Sequence, residues 1–160
     1  GRRVLLVDAD NHGQGITRRM QMLDRPGLAE LLAGSLTGDD PVYAGDLASL
    51  SILPCGGRDE RFGDRLSGRE GQARLQALFQ GYDEVILDSP PVLAKSDAVV
   101  LATMVDEVVL VLRAGRSTQE EARAAREYLA AVGGNVVGVI LNAVDPKRVR
   151  YGYSYNYSYA

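Results

Sequence analysis

The sequence predicts an α/β protein built on a doubly wound, mainly parallel sheet, and three observations carry that prediction. Short runs rich in Val, Ile and Leu recur along the 160 residues. The runs are continuously apolar, as expected of strands covered by helices on both faces. Helical or glycine-rich stretches separate them, and strands alternating with helices build parallel sheets.

The first strand, Val4–Val7, runs into Asp8-Ala9-Asp10, and a short helix falls within Gly27–Ala33. The second strand is Leu50–Leu53. Gly56–Gly71, with five glycines and many charges, is expected to be a long surface loop. A helix near Gly71–Gln80 leads to a third strand, Val85–Asp88. A helix near Asp97–Met104 precedes a fourth strand, Val108–Leu112. The clearest helix runs from Ser117 to about Val132, with Ser117 as N-cap, Glu120 three residues on, and Gly133-Gly134 as its stop. Val136–Leu141 is the last strand. Residues 151–160 hold five of the eight tyrosines, alternating with Gly, Ser and Asn. This composition predicts a flexible tail beyond a domain of residues 1–150; a final edge strand is the alternative, disfavoured by those poor strand formers.

Composition removes several classes of function. Hydrophobic residues at 46% and charged residues at 24% match a globular chain and not a disordered one. One cysteine and one histidine, Cys55 and His12, exclude a disulfide framework and a structural zinc site. Cys55 is expected to be an inert small residue and His12 a solvent-facing turn residue. A net charge of −3 gives no broad basic surface for nucleic acid. No apolar run approaches the roughly 18 residues of a membrane helix.

In doubly wound sheets, ligands bind beyond the carboxyl ends of the strands. That rule selects Asp8, Asp88, Arg113 and Asn142, which end or follow four of the five strands. Asp8 and Asp10 at the mouth of a buried strand suit a hydrated Mg²⁺, which favours one or two carboxylates plus phosphate oxygens; capping the following segment is the alternative use. Glu84–Asp88, followed by Ser89-Pro90-Pro91, repeats the arrangement and has the form of a Walker B element.

These segments together resemble the bacterial protein-tyrosine kinases of capsule and exopolysaccharide export, enzymes with a deviant P-loop. Val4–Asp10 resembles their second acidic motif, and Val85–Leu93, Val-Ile-Leu-Asp-Ser-Pro-Pro-Val-Leu, resembles their Walker B segment. Asp97-Ala98, Asp106–Gly115, Gly138–Asn142, Pro26–Gly34 and the tyrosine cluster continue the match, which is weakest from Arg58 to about Arg69. The resemblance implies a Rossmann-like P-loop NTPase fold that uses ATP and Mg²⁺. It implies Asp8 as the base toward a tyrosine hydroxyl, Asp10 and Asp88 as Mg²⁺ ligands, Asn142 at the adenine and Arg113 near the nucleotide. Tyr151, Tyr153, Tyr155, Tyr157 and Tyr159 would be acceptors, phosphorylated by a neighbouring subunit of a ring. A membrane-spanning polysaccharide co-polymerase region, upstream or on another chain, would hold the domain at the inner face of the plasma membrane.

The sequence also departs from that family. No Gly-x-x-x-x-Gly-Lys-Ser/Thr loop occurs, so the first strand–P-loop–helix unit is lacking and tight MgATP binding is not expected of this chain alone. Asn11-His12-Gly13-Gln14 stands where the family has arginines. The expected function is therefore the C-terminal part of a tyrosine autokinase. The alternative is a non-catalytic relative serving as scaffold or phosphorylation target in polysaccharide export. A partitioning-type ATPase is disfavoured by the tyrosine terminus. A response-regulator receiver is disfavoured by the 80 residues between Asp8 and Asp88 and by the lack of a lysine after either late strand.

Overall fold

The computed structural model describes residues 1–36 and 40–145. The tyrosine-rich segment, with Tyr151 to Tyr159, lies outside the described residues. The elements run β1 (Val4–Asp8), α1 (Gly15–Arg19), α2 (Leu28–Ala33), β2 (Tyr43–Ala44), β3 (Leu50–Leu53), α3 (Phe62–Ser67), α4 (Arg69–Phe79), β4 (Glu84–Asp88), α5 (Asp97–Ala102), β5 (Val108–Arg113), α6 (Gln119–Ala131) and β6 (Val136–Asn142).

Two sheets result. The first has the order β2-β3-β1-β4, with β1 parallel to both neighbours. Val7 pairs with Leu53 on one side and Leu87 on the other, and Asp8 lies opposite Asp88. Tyr43 and Ala44 add a short antiparallel edge to β3. The second sheet is the parallel pair β5-β6, with Arg113 opposite Asn142 at its carboxyl end. Among the described residues, no strand pairs with the outer edge of β4 or joins the two sheets.

The core is the aliphatic contact of β1 and β3 with α2, α3 and α4: Leu5, Val7, Leu53, Leu28, Leu32, Phe62, Leu66 and Leu75, with Leu101 of α5. The central strands are well covered: Leu5 and Val7 of β1 and Ile52 and Leu53 of β3 are wholly buried, and Val4 and Leu6 are half-buried. The later strands are less covered. Along β4 and β5 every second residue is exposed, and in the β5-β6 pair Val109, Val111 and Ile140 are exposed on one face while Val139 and Leu141 are exposed on the other. Apolar composition selected the strand conformation there, but covering both faces needs more chain than the described residues supply.

Other boundaries moved for local reasons. The expected loop Gly56–Gly71 contains α3, which the buried pair Phe62 and Leu66 pins to the core. Thr118, not Ser117, caps α6: its hydroxyl accepts from Glu121 N at 3.1 Å, and Glu121 Oε2 accepts from Thr118 N at 2.8 Å. Ser117 instead accepts through its hydroxyl from Arg113 N, tying the end of β5 to the approach of α6. The capping-box signal was sound and displaced by one residue, because the Ser-Thr pair offers two candidate caps.

The start of α2 shows why glycine is needed at one position. Leu28 N donates to Pro54 O at 2.8 Å and Ala29 N to Cys55 O at 2.9 Å, so the β3 exit satisfies N–H groups that a helix start leaves orphaned. Glu30 Oε2 accepts from Gly27 N at 2.7 Å. A Cβ on residue 27 would overlap the Pro54 carbonyl oxygen. Gly27→Ala should therefore destabilise the fold by about 1–3 kcal/mol, the usual cost of overpacking. The shift of the urea midpoint against wild type measures it.

Candidate active site

The site begins with Asp8, which is wholly buried. Its Oδ2 accepts from the backbone N of Thr17 at 2.8 Å and from the Thr17 hydroxyl at 2.7 Å. Its Oδ1 accepts once, from Asp10 N at 3.2 Å. The Thr17 hydroxyl also accepts from Cys55 N at 2.8 Å, so one buried side chain links β1, α1 and the exit of β3. Threonine suits this place because a single hydroxyl both donates and accepts.

Asp10 folds back over its own loop. Its Oδ1 accepts from His12 N at 3.1 Å and Gly13 N at 2.9 Å, while its carbonyl accepts from Gln14 N at 2.8 Å. Asp10 thus closes the turn before α1 and caps no helix, while Asp8 meets the helix N–H of Thr17; the Oδ2 of Asp10 keeps no hydrogen bond among the described residues. Gly13 makes the wrap possible, since a Cβ there would strike that Oδ2. His12 faces solvent as expected.

Two residues of the loop after Asp10 have a structural use that the sequence reading missed. Asn11 and Gln14 are buried. Asn11 Nδ2 donates to Asp59 O at 2.9 Å, and Gln14 Nε2 donates to Gly56 O at 3.0 Å. Gln14 holds a left-handed backbone, φ 51°, at the entry to α1. The two amides pin the acidic loop to the segment after β3. No local sequence signal could show this, because the acceptors are carbonyls more than 40 positions away.

Cys55, buried beside this network, has its thiol pushed up to about 12, by burial first and then by the charge of Asp8. It carries no thiolate at neutral pH, in keeping with an inert small residue.

Asp88 completes the acidic group from the end of β4. Its carboxylate takes part in no hydrogen bond among the described residues. Its carboxyl is held above the ordinary value, by partial desolvation first and then by the negative charges of Asp8 and Asp10. The fold thus brings Asp8, Asp10 and Asp88 to one end of two paired strands. Arg113 and Asn142 sit side by side at the same end of the other sheet. Ala114 N donates to Asn142 O at 2.8 Å, and Asn142 Oδ1 accepts from Ala143 N at 2.7 Å. Both side chains are exposed, and no hydrogen bond joins that pair to the acidic group among the described residues.

No three His, Cys, Asp or Glu side chains among the described residues form a ready-made metal cage. The donor set does fit Mg²⁺, which takes one or two carboxylates and leaves its other positions to water and phosphate. Asp88 and the unused Oδ2 of Asp10 are the available oxygens, and the carboxyl of Asp88 is raised by partial desolvation first and then by the charges of Asp8 and Asp10.

Comparison with known proteins places this arrangement. The fold is that of P-loop NTPases: the septum site-determining protein MinD of Pyrococcus horikoshii OT3, solved with Mg-ADP, matches with a TM-score of 0.69 at 25% identity, over 88% of this chain and 58% of that one. The VpsO kinase domain matches with a TM-score of 0.83 at 32% identity, over 90% of this chain and 71% of that one. Among curated proteins, EpsB of Ralstonia solanacearum is 34% identical over 157 residues, covering 98% of this chain. The tyrosine-protein kinase YwqD of Bacillus subtilis is 30% identical over 154 residues, covering 96% of this chain and 65% of YwqD. The chain belongs to the bacterial tyrosine-protein kinases. It spans 21% of the length of EpsB. No protein-family model matches it.

Two predictions follow from this geometry. Thr17→Val keeps the shape but removes one of the two donors to Asp8 Oδ2 and leaves Cys55 N without its acceptor; it should cost about 1–3 kcal/mol, the penalty for unpaired buried polar groups, read from denaturant unfolding. The second concerns pH. A carboxyl raised in the folded state favours folding while protonated; that contribution is present below the ordinary 3.8 and is lost as pH rises through the folded value. Asp88→Asn removes this loss, so the variant should gain stability over wild type between pH 3 and pH 7. Thermal melts at both pH values check it, and an equal difference at both would refute the coupling.

Proposed function

We propose that this chain is the acidic half of an ATP-dependent protein-tyrosine kinase site, acting within a longer protein in capsule or exopolysaccharide assembly. The observation that carries the proposal is the convergence of Asp8, Asp10 and Asp88 at the carboxyl ends of the paired strands β1 and β4. Asp10, through Oδ2, and Asp88 would hold Mg²⁺. Bound with ATP, the ion would spread the charge of the transferring phosphate. Asp8 would take the tyrosine proton at Oδ1, the oxygen with one long hydrogen bond, while Thr17 fixes the carboxylate through Oδ2. Asn142 and Arg113 would meet the nucleotide from the β5-β6 side.

Tyr151, Tyr153, Tyr155, Tyr157 and Tyr159 would accept phosphate from a neighbouring copy. Ten extended residues reach at most roughly 35 Å, enough to enter an adjacent site. Each phosphate adds about −1.5 to −2 charges, so a modified tail is repelled by the three carboxylates and the ring loosens. Among the described residues no helix is long and apolar enough to cross a membrane. A membrane polysaccharide co-polymerase, on the same or another chain, would hold the domain at the cytoplasmic face; no nucleic acid takes part.

One observation favours a second reading, a scaffold or phosphorylation target without activity of its own: the chain contains no glycine-lysine phosphate loop. A single experiment separates the two. The full-length protein is incubated with ATP and Mg²⁺, and phosphotyrosine in the tail is quantified by mass spectrometry. Asp8→Asn, Asp10→Asn and Asp88→Asn should each lower the rate by at least about a hundredfold, the usual reach of proton transfer and charge stabilisation. Labelling that appears only when another kinase is added would establish the scaffold instead.

A further inference from the structure

The fold carries a second charged centre, away from the acidic one. A groove of about 420 Å³ lies where α3 meets α4 beside the end of α2, and four of its lining side chains are Arg61, Arg65, Arg69 and Arg74. This concentration stands out in a chain of net charge −3. The backbone makes it. Gly68 is extended, φ −74° and ψ 144°, and breaks the two helices apart. At Gly71 a Cβ would collide with the Arg65 carbonyl oxygen, so only glycine lets α4 start this close to α3. The junction gathers onto one groove arginines that a single straight helix would spread along its length.

Two of the four are already engaged. Arg65 Nε lies 3.3 Å from Asp59 Oδ2. Arg74 donates to Leu32 O at 3.0 Å and lies 3.3 Å from the exposed Glu70. Arg61 and Arg69 are exposed, and their guanidinium groups have no hydrogen bond or ion pair among the described residues. The groove therefore offers two free forks, braced by two held ones, in a volume suited to one large side chain.

We propose that this groove binds phosphotyrosine, supplied by segment 151–160 of a second copy of the chain. The inference rests on the kinase reading only for the source of the phosphate. Charge complementarity argues for this occupant. Residues 151–160 contain no charged side chain, so the unmodified side chains give the arginines no anion to pair with. Each phosphate turns one tyrosine into a dianion-like acceptor for bidentate guanidinium contacts, while the ring packs on arginine stems. The same modification that drives the tail from the carboxylates would seat it on the arginines, so phosphorylation moves the contact between copies from one end of the sheet to the α3–α4 groove.

The test uses the full-length protein with its five tail tyrosines changed to Phe, so that its own tail cannot compete. Fluorescence anisotropy then follows a labelled synthetic peptide of residues 151–160, with and without phosphotyrosine at Tyr155, so the result does not depend on the protein's own activity. The phosphopeptide should bind at least about tenfold more tightly, as charge-assisted pairing requires. Adding Arg61→Ala and Arg69→Ala together should abolish that preference while circular dichroism stays unchanged. Arg61→Lys with Arg69→Lys, which keeps the charge and the fold, should restore only part of it. Equal binding of both peptides, or a preference that survives the double alanine variant, would overturn the proposal. So would inorganic phosphate competing at the same molar concentration as the phosphopeptide, which would mark a general anion site. Failed autophosphorylation together with preserved phosphopeptide binding would refute the kinase reading alone.

Discussion

Three elements of this fold meet at one hydroxyl. Thr17 donates to Asp8 and accepts from Cys55 N, and all three residues are closed to solvent. An ionised carboxylate at the end of a buried strand is costly unless its oxygens are met. The first turn of α1 meets one of them with two donors from a single residue. That contact sets where α1 starts, hence the path of residues 10–14, hence the position of Asp10. The same hydroxyl satisfies the backbone at Cys55, and Pro54 and Cys55 in turn supply the carbonyls on which α2 begins. The geometry of the acidic centre and the packing of the core are thus one constraint.

The loop after Asp10 fits the same logic. Asn11 and Gln14 carry amides that reach the backbone at Asp59 and Gly56. An amide is satisfied locally, whereas an arginine needs an anion. These positions place no positive charge beside Asp8 and Asp10 and serve rigidity instead. The arginines of this chain gather elsewhere, at the α3–α4 groove.

Much of this was legible in the residues, and the limits have physical causes. Strands with four or more aliphatic residues were read to within a residue or two, because burial leaves little choice of composition. The acidic pair at Asp8 and Asp88 followed from strand ends alone, and the register confirms that the two lie opposite each other. Five-residue α1 and two-residue β2 were missed, since neither has a full period of any pattern. Their existence depends on Asp8 and on β3. The segment 56–71 was read as loop because glycine and charge dominate it, yet two apolar residues, Phe62 and Leu66, suffice to fold it. Thr17 carried no local signal, since its partners at Asp8 and Cys55 are distant in sequence.

The β5-β6 pair has a consequence for how this chain behaves in concentrated solution. A strand edge without a partner is a template for another backbone, and proteins normally guard such edges with charge, proline or short length. β4 carries a charge at each end, Glu84 and Asp88. β5 has five aliphatic residues, Val108 to Leu112, before its first charge at Arg113. Its side chains also present an apolar face. Self-association of the isolated chain would therefore begin in this pair, at β5 or at β6, whose seven residues carry no charge, strand against strand. Colloidal stability depends on whatever polypeptide lies along those edges.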